Sequence, residues 1–331
     1  MPWGERQTRL SILGAAAVLI IVLAGALLYR VYQTQIGRPN TVVVRVGDEK
    51  FKLSYYADRL LEFAQANSDT SLLVTEQALL TKLEEEGLAI EIAEDKGIPV
   101  TDDEITAAIA TKLAVPVGGD GSAFDIRYRD ALRTSGMSDG NYRRLIKAEV
   151  ADTKLRDLLK KDVGATGELV TIRAAVLNTK AAADDALAKV QGGSDLGTLA
   201  QTVSVDETTK VNDGIFTPAP PALLPEEIRK EIDGKPAGTY IDHVVEADGK
   251  FFVMKVEARD PSGAITEGQQ AQLVDGKLTE ELNAKRAELS AKGQLFKRLS
   301  TKDINWAVAH AGKAAAASTP VVGDATVVSS P

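Results

Sequence analysis

The chain has 331 residues, of which 39 are Lys or Arg and 47 are Asp or Glu, and it contains no Cys and only two His. The absence of thiols excludes disulfides, Cys-ligated metal sites and a cysteine nucleophile. His243 and His310 stand far apart, so a histidine-rich metal site is not predicted. The net charge of −8, with 5% aromatic residues, argues against a nucleic-acid surface of basic patches and stacking platforms. We therefore expect no metal, no cofactor and no nucleic-acid partner.

The first forty residues differ from the rest in charge. They carry four Arg and one Glu, a net charge of +3, so the remainder carries −11. Between the two pairs of arginines lies a charge-free segment, Leu10–Tyr29. As a helix at about 1.5 Å per residue it would span about 30 Å, the thickness of the hydrocarbon core of a bilayer. We predict a transmembrane anchor over residues 10–30, preceded by an N-terminal flank over residues 1–9.

A cleaved signal peptide is the competing interpretation of this segment, because Ala24-Gly25-Ala26 fits an A-x-A cleavage site. The uncleaved anchor is favoured because Leu27 and Leu28 extend the apolar segment to full spanning length. No Cys follows, which excludes a lipoprotein anchor. Two Arg lie on each side, so the charge bias leaves the orientation open.

Residues 41–163 are predicted to form a mostly helical domain that opens with a strand hairpin. Thr101-Asp102-Asp103-Glu104 is a capping box and predicts the start of a helix. The glycine-rich segment 115–122 is interpreted as a loop, because no Gly-Lys-Ser/Thr follows it and no strand precedes it. The predicted elements are a hairpin over 41–53 and helices over 54–66, 71–96, from 102, 123–134 and 141–161.

The pattern changes after residue 165 to short strands and short helices, which is typical of an α+β domain. We predict this domain over residues 166–260. Its predicted strands cover 168–177, 240–245 and 250–256, and its predicted helices cover 180–190, 195–203 and 224–232.

After Pro261 the helical pattern returns. Leu282, Leu289 and Phe296 repeat every seven residues within a predicted helix over Thr266–Leu299. This apolar stripe needs a partner, and the helical layer of residues 41–163 offers one, so residues 41–163 plus 262–310 are predicted to form a single domain. Residues 302–308 are predicted to add a strand to Val42–Val46. The last segment, residues 312–331, is low in complexity and predicted to be disordered.

This order of parts resembles the membrane-anchored SurA/PrsA/PpiD-like foldases. The segments VGDEKFKLSYYADRL, LEEEGLAIEIAEDKGIPVTDDEI and YRDALRTSGMSDGNYRRLIKAEV are similar to a SurA-type N-terminal chaperone domain. The segments AAVL, AADDALAKVQGGSDLGTLAQTVSVDE and DGKPAGTYIDHVVEADGKFFVMKVE resemble a parvulin-type peptidyl-prolyl isomerase domain. The resemblance implies an α+β fold class: a transmembrane helix, a helical chaperone domain completed by a C-terminal helix, and an inserted parvulin-like domain.

The resemblance also implies site residues. Parvulins usually carry one His in the first strand and one in the last, and these positions correspond to Ala175 and Phe252. Asp206 corresponds to the acidic or Cys position, although a helix or turn cap explains this residue at least as well. The implied peptide groove consists of Phe216, Leu223, Leu224, Ile228 and Phe252.

Prolyl isomerisation needs no proton transfer, because the barrier of about 18–20 kcal/mol falls when the twisted imide is bound more tightly than the planar forms. With both histidine positions lost, we expect absent or weak isomerase activity. The prediction is a single-pass cell-membrane protein, inserted through residues 10–29, whose extracytoplasmic domains bind unfolded or nascent exported polypeptides as a chaperone or foldase. An active isomerase and a structural subunit of a membrane complex are the alternatives.

Overall fold

The computed structural model describes residues 37–66 and 72–318. They form a mixed helical and sheet protein that divides into two compact units. Unit 1 contains the described residues up to Leu155 and those from Glu281 onwards, and unit 2 spans Arg156–Glu280. The predicted anchor over residues 10–30 lies outside the described residues. Within the described ranges, no helix combines the length and the hydropathy that a membrane span requires.

Unit 1 begins with the predicted hairpin, β1 (Val42–Val46) and β2 (Glu49–Lys52), whose strands pair antiparallel. The predicted helices follow and are confirmed to within a few residues. The capping box is present, since Thr101 Oγ1 accepts from the Glu104 amide while the Glu104 carboxylate accepts from the Thr101 amide. The helices are α1 (Leu53–Ala66), α2 (Leu72–Asp95), α3 (Asp102–Lys112), α4 (Ala123–Ser135) and α5 (Asp139–Val163).

The C-terminal part of unit 1 differs from the prediction. Helix α10 (Glu267–Ala291) ends at Gly293, which has a φ of +65°, so the heptad stripe does not continue to Phe296. Phe296 lies instead in strand β6 (Leu295–Lys297), which pairs antiparallel with β1 and gives the sheet order β2-β1-β6.

Two further predictions for this region are wrong. The strand predicted over residues 302–308 is part of helix α11 (Thr301–Ser318), and β6 occupies the place beside β1 that this strand was expected to take. The predicted disordered tail over residues 312–331 begins within the same helix, and its remainder lies outside the described residues. An alanine-rich segment has high helix propensity, which low complexity alone does not exclude.

Buried charges connect the returning segment to α2. The Glu84 side chain is 2% exposed; it pairs with Arg286, and its Oε2 lies 2.6 Å from the Lys297 ammonium. Burial opposes its ionisation, yet the hydrogen bonds from Lys297 and Arg286 hold the pKa of Glu84 below its ordinary value. Leu289, from the same returning segment, is 3% exposed in the apolar core of unit 1. The chain on both sides of unit 2 thus contributes to one core.

A second buried network lies between α1 and α2. Glu86 accepts hydrogen bonds from the Tyr55 hydroxyl at 2.9 Å and from Arg59 Nη1 at 2.6 Å, and Arg59 Nη1 also donates to the Tyr55 oxygen at 3.0 Å. Burial, followed by the nearby Glu86 carboxylate, raises the pKa of Tyr55. All three side chains are buried, so the Tyr55 hydroxyl and the Glu86 carboxylate take their polar partners from within the network, while Arg59 Nε also pairs with Glu62 at 2.9 Å.

Unit 2 is built on an antiparallel sheet of order β3-β5-β4. The predicted strand over 240–245 is only partly correct, because an isolated bridge joins Tyr240 to Lys255 and the continuous strand starts at Val245. The elements are β3 (Thr166–Leu177), α6 (Lys180–Gln191), α7 (Leu196–Val203), α8 (Glu207–Lys210), a 3₁₀ turn (Pro221–Leu223), α9 (Glu226–Ile232), β4 (Val245–Ala247) and β5 (Lys250–Ala264).

Candidate functional site

The two faces of the β3–β5 ladder have different surroundings. Ala175 pairs with Val253, and both are fully buried with Leu196 of α7 in an apolar cluster on one face. The next residue pair, Val176 and Phe252, lies on the opposite face because side chains alternate along a strand. On that face the sheet borders a cavity of about 470 Å³, lined by Val176, Asn178, Val205, Asp206, Phe216, Lys250 and Phe252.

One wall of the cavity is a loop that follows α7 and attaches to the edge of β3 that does not pair with β5. The amide of Val205 donates to the carbonyl of Val176 at 2.8 Å, and the amide of Val176 donates to Ser204 Oγ at 3.2 Å. Ser204 is 2% exposed, so this attachment is shielded from water. One main-chain hydrogen bond and one hydrogen bond to the Ser204 side chain therefore hold Val205 and Asp206 at the cavity.

Asp206 faces the cavity but also begins α8. Its Oδ1 accepts from the Thr208 amide at 3.1 Å, and its Oδ2 accepts from the Thr209 hydroxyl at 2.9 Å. Asp206 is the N-cap residue of this short helix. The geometry matches the cap interpretation of Asp206, because both carboxylate oxygens already accept hydrogen bonds within the loop.

A second segment lies along β3 and brings Phe216 to the cavity. The amide of Phe216 donates to the carbonyl of Ile172 at 2.9 Å, and the Ala174 amide donates to the carbonyl of Gly214 at 2.8 Å. Gly214 has a φ of +71°, and a Cβ there would lie 2.4 Å from the Ala174 oxygen. Only glycine fits this close approach, so Gly214 fixes the position of Phe216 against the strand.

The polar end of the cavity is formed by Asn178 and Lys250. Lys250 follows the Asp248-Gly249 turn of the β4–β5 hairpin, where φ is +50° and +70°, as in a type I′ turn. The Lys250 ammonium donates to Asn178 Oδ1 at 2.6 Å. The tight hairpin and the hydrogen bond to Asn178, just beyond the end of β3, place this cation at the cavity.

Of the site residues that the resemblance implied, Asp206, Phe216 and Phe252 line the cavity. Leu223, Leu224 and Ile228 do not line it. Ile228 is 3% exposed in the apolar core on this face of the sheet, and Leu224 packs against that core. An apolar residue near a proline-rich bend can either pack in the core or line a groove. Sequence spacing does not distinguish these two roles.

The predicted position of Ala175 is wrong. It was expected to face the site, but it lies on the helix-covered side of the sheet, and Val176 occupies the position opposite Phe252. A shift of one residue along a strand moves a side chain to the other face.

Four residues that line the cavity were not predicted from the sequence: Val176, Asn178, Val205 and Lys250. Alternation from Phe252 through its strand would have found Lys250, which is two residues away on the same face.

Neither histidine lines the cavity. His243 is exposed in unit 2, with Nδ1 2.9 Å from Asp242 and Nε2 3.3 Å from Glu231, and the hydrogen bond to Asp242 raises its pKa. His310 belongs to α11 of unit 1, where its Nε2 is 3.4 Å from Asp58. Within the described ranges, no group of three or more His, Asp or Glu side chains is arranged to hold a metal ion.

The sequence matches two family models. Residues 5–156 match the SurA-like N-terminal domain, and residues 166–258 match the PPIC-type PPIASE domain. The second match covers the sheet, the helices and the loop that surround the cavity. No curated protein matches the chain at a significant level.

Several solved structures are similar to the chain at low identity. PrsA from Bacillus anthracis, a peptidylprolyl isomerase, is 12% identical over 67% of this chain and 99% of its own, with a TM-score of 0.44. PrsA from Bacillus cereus is 15% identical over 82% and 99%, with a TM-score of 0.43. One of two SurA-like chaperones from Campylobacter jejuni is 16% identical over 76% and 95%, with a TM-score of 0.28. At these TM-scores the similarity is descriptive only.

The two family matches follow one another along the chain in the predicted order. They confirm the SurA-type N-terminal domain and the parvulin-type domain that the sequence motifs indicated. This chain therefore consists of a SurA-like N-terminal domain followed by a PPIC-type parvulin domain.

Proposed function

We propose that this protein is a membrane-anchored chaperone or foldase that binds unfolded or nascent polypeptides outside the cytoplasm. Its parvulin-like domain binds peptide and has little or no prolyl isomerase activity. The observation that carries the proposal is the pair Val176 and Phe252, which presents two apolar side chains to the cavity from the paired strands β3 and β5. A cavity of about 470 Å³ with this apolar wall is large enough for a side chain or a proline ring.

Weak binding is the expected consequence of such a cavity. Burying one large apolar side chain contributes about 1.5–3 kcal/mol, whereas association costs several kcal/mol of lost freedom. A single anchor residue therefore gives low affinity and fast release. Those properties suit a protein that holds many unrelated chains briefly rather than one partner permanently.

The second candidate function, active prolyl isomerisation, is favoured by the match of residues 166–258 to the PPIC-type PPIASE domain. Polarisation of the twisted imide would have to come from Asn178, Asp206 or Lys250, the polar groups of the lining. Asp206 already accepts two hydrogen bonds. Lys250 and Asn178 lie together at the polar end of the cavity and are hydrogen-bonded to each other. We expect this lining to stabilise the twisted imide less than a site with a dedicated donor beside the apolar wall.

A protease-coupled assay of proline-bond isomerisation separates these two candidates. With the full chain in detergent, we expect a rate close to the uncatalysed one and nearly constant between about pH 5 and 8, the range in which a histidine would change charge. A rate that is high and lost in Phe252→Ala would make the protein an active isomerase.

Binding of a permanently unfolded polypeptide tests the chaperone assignment. Phe252→Ala enlarges the cavity and should weaken binding several-fold, while Tyr240→Ala removes another aromatic ring of unit 2 that is 46% exposed and does not line the cavity. Equal loss in both variants would reject the cavity as the binding site. Co-purification with one stoichiometric partner would favour a structural subunit instead.

Unit 1 offers a second place for unfolded chains. Val117, in the glycine-rich segment 115–122, and Ile126, in the following helix α4, are 58% and 63% exposed. Large exposed apolar side chains that are close in sequence are candidates for contact with other polypeptides. If unit 1 binds unfolded polypeptide through this region, Val117→Ser with Ile126→Ser should lower the remaining affinity of Phe252→Ala, whereas an unchanged affinity would reject this contact.

Membrane attachment through Leu10–Tyr29 rests on the charge-free length of that segment. We expect the protein to stay in the membrane fraction after washing at high pH, with its following domains accessible to protease only from outside the cytoplasm. Sequencing of the mature N-terminus provides the decisive check. A chain that starts at Leu27 would mean that the segment is a cleaved signal peptide.

A further inference from the structure

The cavity face of the β3–β5 ladder changes from apolar to polar in regular steps. Ala174 pairs with Met254, both fully buried, and Val176 pairs with Phe252. One step further along the same face, Asn178 and Lys250 lie at the cavity and are joined by a hydrogen bond of 2.6 Å. Because side chains on one face are two residues apart, the polar step lies about 6.6–6.8 Å beyond the apolar one.

Lys250 has unused capacity to bind a ligand. Its ammonium can donate three hydrogen bonds, and Asn178 Oδ1 accepts one of them. Among the residues that the structure describes, no carboxylate pairs with this ammonium. The residue is exposed and can reach a ligand without first being desolvated.

The other charged side chain of the lining is already engaged. Each oxygen of Asp206 accepts a hydrogen bond from within its own loop, from the Thr208 amide and the Thr209 hydroxyl. The cavity therefore offers free hydrogen-bond donors at Lys250. The Asp206 carboxylate, which could attract a cation, already accepts two hydrogen bonds. This asymmetry favours an acceptor-rich or anionic group on the ligand.

We propose that Lys250 makes the cavity selective for extended polypeptide segments with an acidic residue two positions from the apolar residue that fills the cavity. In an extended chain, residues two positions apart point to the same side at about 6.6–6.8 Å, which matches the distance from the Val176–Phe252 pair to Lys250. An adjacent residue points away. This inference rests on the proposed peptide binding at the cavity and adds the class of segment that binds there.

Fluorescent peptides with one Phe-Pro anchor in an uncharged background test the proposal on the full chain in detergent. Glu or Gln is placed two positions before the Phe of the anchor, two positions after its Pro, or directly next to the Phe-Pro pair. We expect the Glu peptide to bind about two- to fivefold more tightly than its Gln counterpart at one of the two-position sites and equally when adjacent. The preference should shrink between about 0.05 and 0.5 M salt, because the pair is exposed.

Two variants and one control assign the preference to Lys250. Lys250→Gln should abolish it, and Lys250→Glu should reverse it in favour of Lys peptides. Lys189→Gln changes the net charge equally at an exposed position on α6 and should leave the preference unchanged. Thermal unfolding of each variant checks that unit 2 stays folded.

The outcomes separate this inference from the function on which it rests. Equal binding of Glu and Gln peptides at every position overturns the selectivity while leaving peptide binding intact. A preference that persists in Lys250→Gln, or disappears equally in Lys189→Gln, also overturns it. If no peptide binds to the unaltered protein, peptide binding at the cavity is itself wrong and the selectivity falls with it.

Discussion

The two units of the chain are stabilised in different ways. In unit 1, buried charges join segments that are distant in the sequence, as Glu84 does with Arg286 and Lys297. In unit 2, apolar clusters cover both faces of the sheet, and the charged residues at the cavity are partly or fully exposed. Buried ion pairs are costly to break and sensitive to pH, whereas apolar clusters are neither charged nor titratable. The difference predicts that loss of the segment after residue 280, or loss of the Glu84 charge, destabilises unit 1.

The largest expected effect comes from truncation after Glu280. It removes β6, which pairs with β1, and Leu289, which is 3% exposed in the core of unit 1. Each large apolar side chain lost from a core costs about 1.5–3 kcal/mol, and several are lost together. We expect unit 1 to unfold while unit 2 keeps its amide protection in hydrogen exchange. Protection of α2 equal to that in the full chain would contradict the comparison.

Glu84→Gln tests the buried pair alone. Arg286 and Lys297 lose a charged partner, and because both are about one-third exposed they regain some hydration. We expect unit 1 to lose about 1–3 kcal/mol of unfolding free energy. Urea unfolding followed by the fluorescence of Trp306, which packs against the core of unit 1, measures this loss.

Glu149→Gln is the matched control for that experiment. Its partner is Lys112 at 2.9 Å, and both side chains are about half exposed. An exposed pair contributes at most about 1 kcal/mol. If the control destabilises unit 1 as much as Glu84→Gln does, burial is not the source of the effect.

Acid should remove the stabilisation that Glu84 gives to unit 1. The pKa of Glu84 is lower in the folded protein than its ordinary value of 4.5, so its stabilisation is complete above about pH 4.5 and is lost as the pH falls through the folded pKa. The stability difference between the natural chain and Glu84→Gln should therefore shrink below about pH 4.5. Burial raises the pKa of Asp58, an effect of opposite sign that is common to both proteins and cancels in the difference. A constant difference down to pH 3 would reject the assignment.

The smallest expected effect is that of Asp206→Ala. Loss of an N-cap costs about 0.5–2 kcal/mol, here confined to the α8 loop of unit 2. Asp206→Asn keeps an oxygen acceptor and should lose less. We expect peptide affinity and any isomerase rate to change by less than about twofold in both variants. A complete loss of activity in Asp206→Asn would give this residue a chemical role beyond the cap.

Local features of the fold could be predicted because short-range rules determine them. The Thr101–Glu104 capping box and the Gly47-Asp48 hairpin turn need only neighbouring residues. The strand at Leu295–Lys297 could not be predicted in the same way, since a heptad stripe gives no warning that Gly293 ends the helix. Its pairing with β1 depends on the tertiary structure.

The candidate site was predicted less completely than the fold. Phe252, Phe216 and Asp206 were found through the resemblance, but Ala175 was chosen in place of Val176. In AAVL every side chain is small or apolar, so no polar residue shows which face is which. Lys250 was overlooked because a charged residue beside a hairpin turn is ordinarily a solubilising one.

The pairing of β1 with β6 also governs the order in which the chain can fold. Arg45 and Phe296 are partners although about 250 residues separate them, whereas the pairs of β3 and β5 are at most about 100 residues apart. During synthesis, unit 2 is complete once residue 280 has emerged, while β1 is paired with β2 but still lacks β6, its neighbour on the other side. Closing so long a loop is slow. We therefore expect a late kinetic phase of folding, during which the β1–β2 hairpin stays partly exposed until β6 pairs with β1.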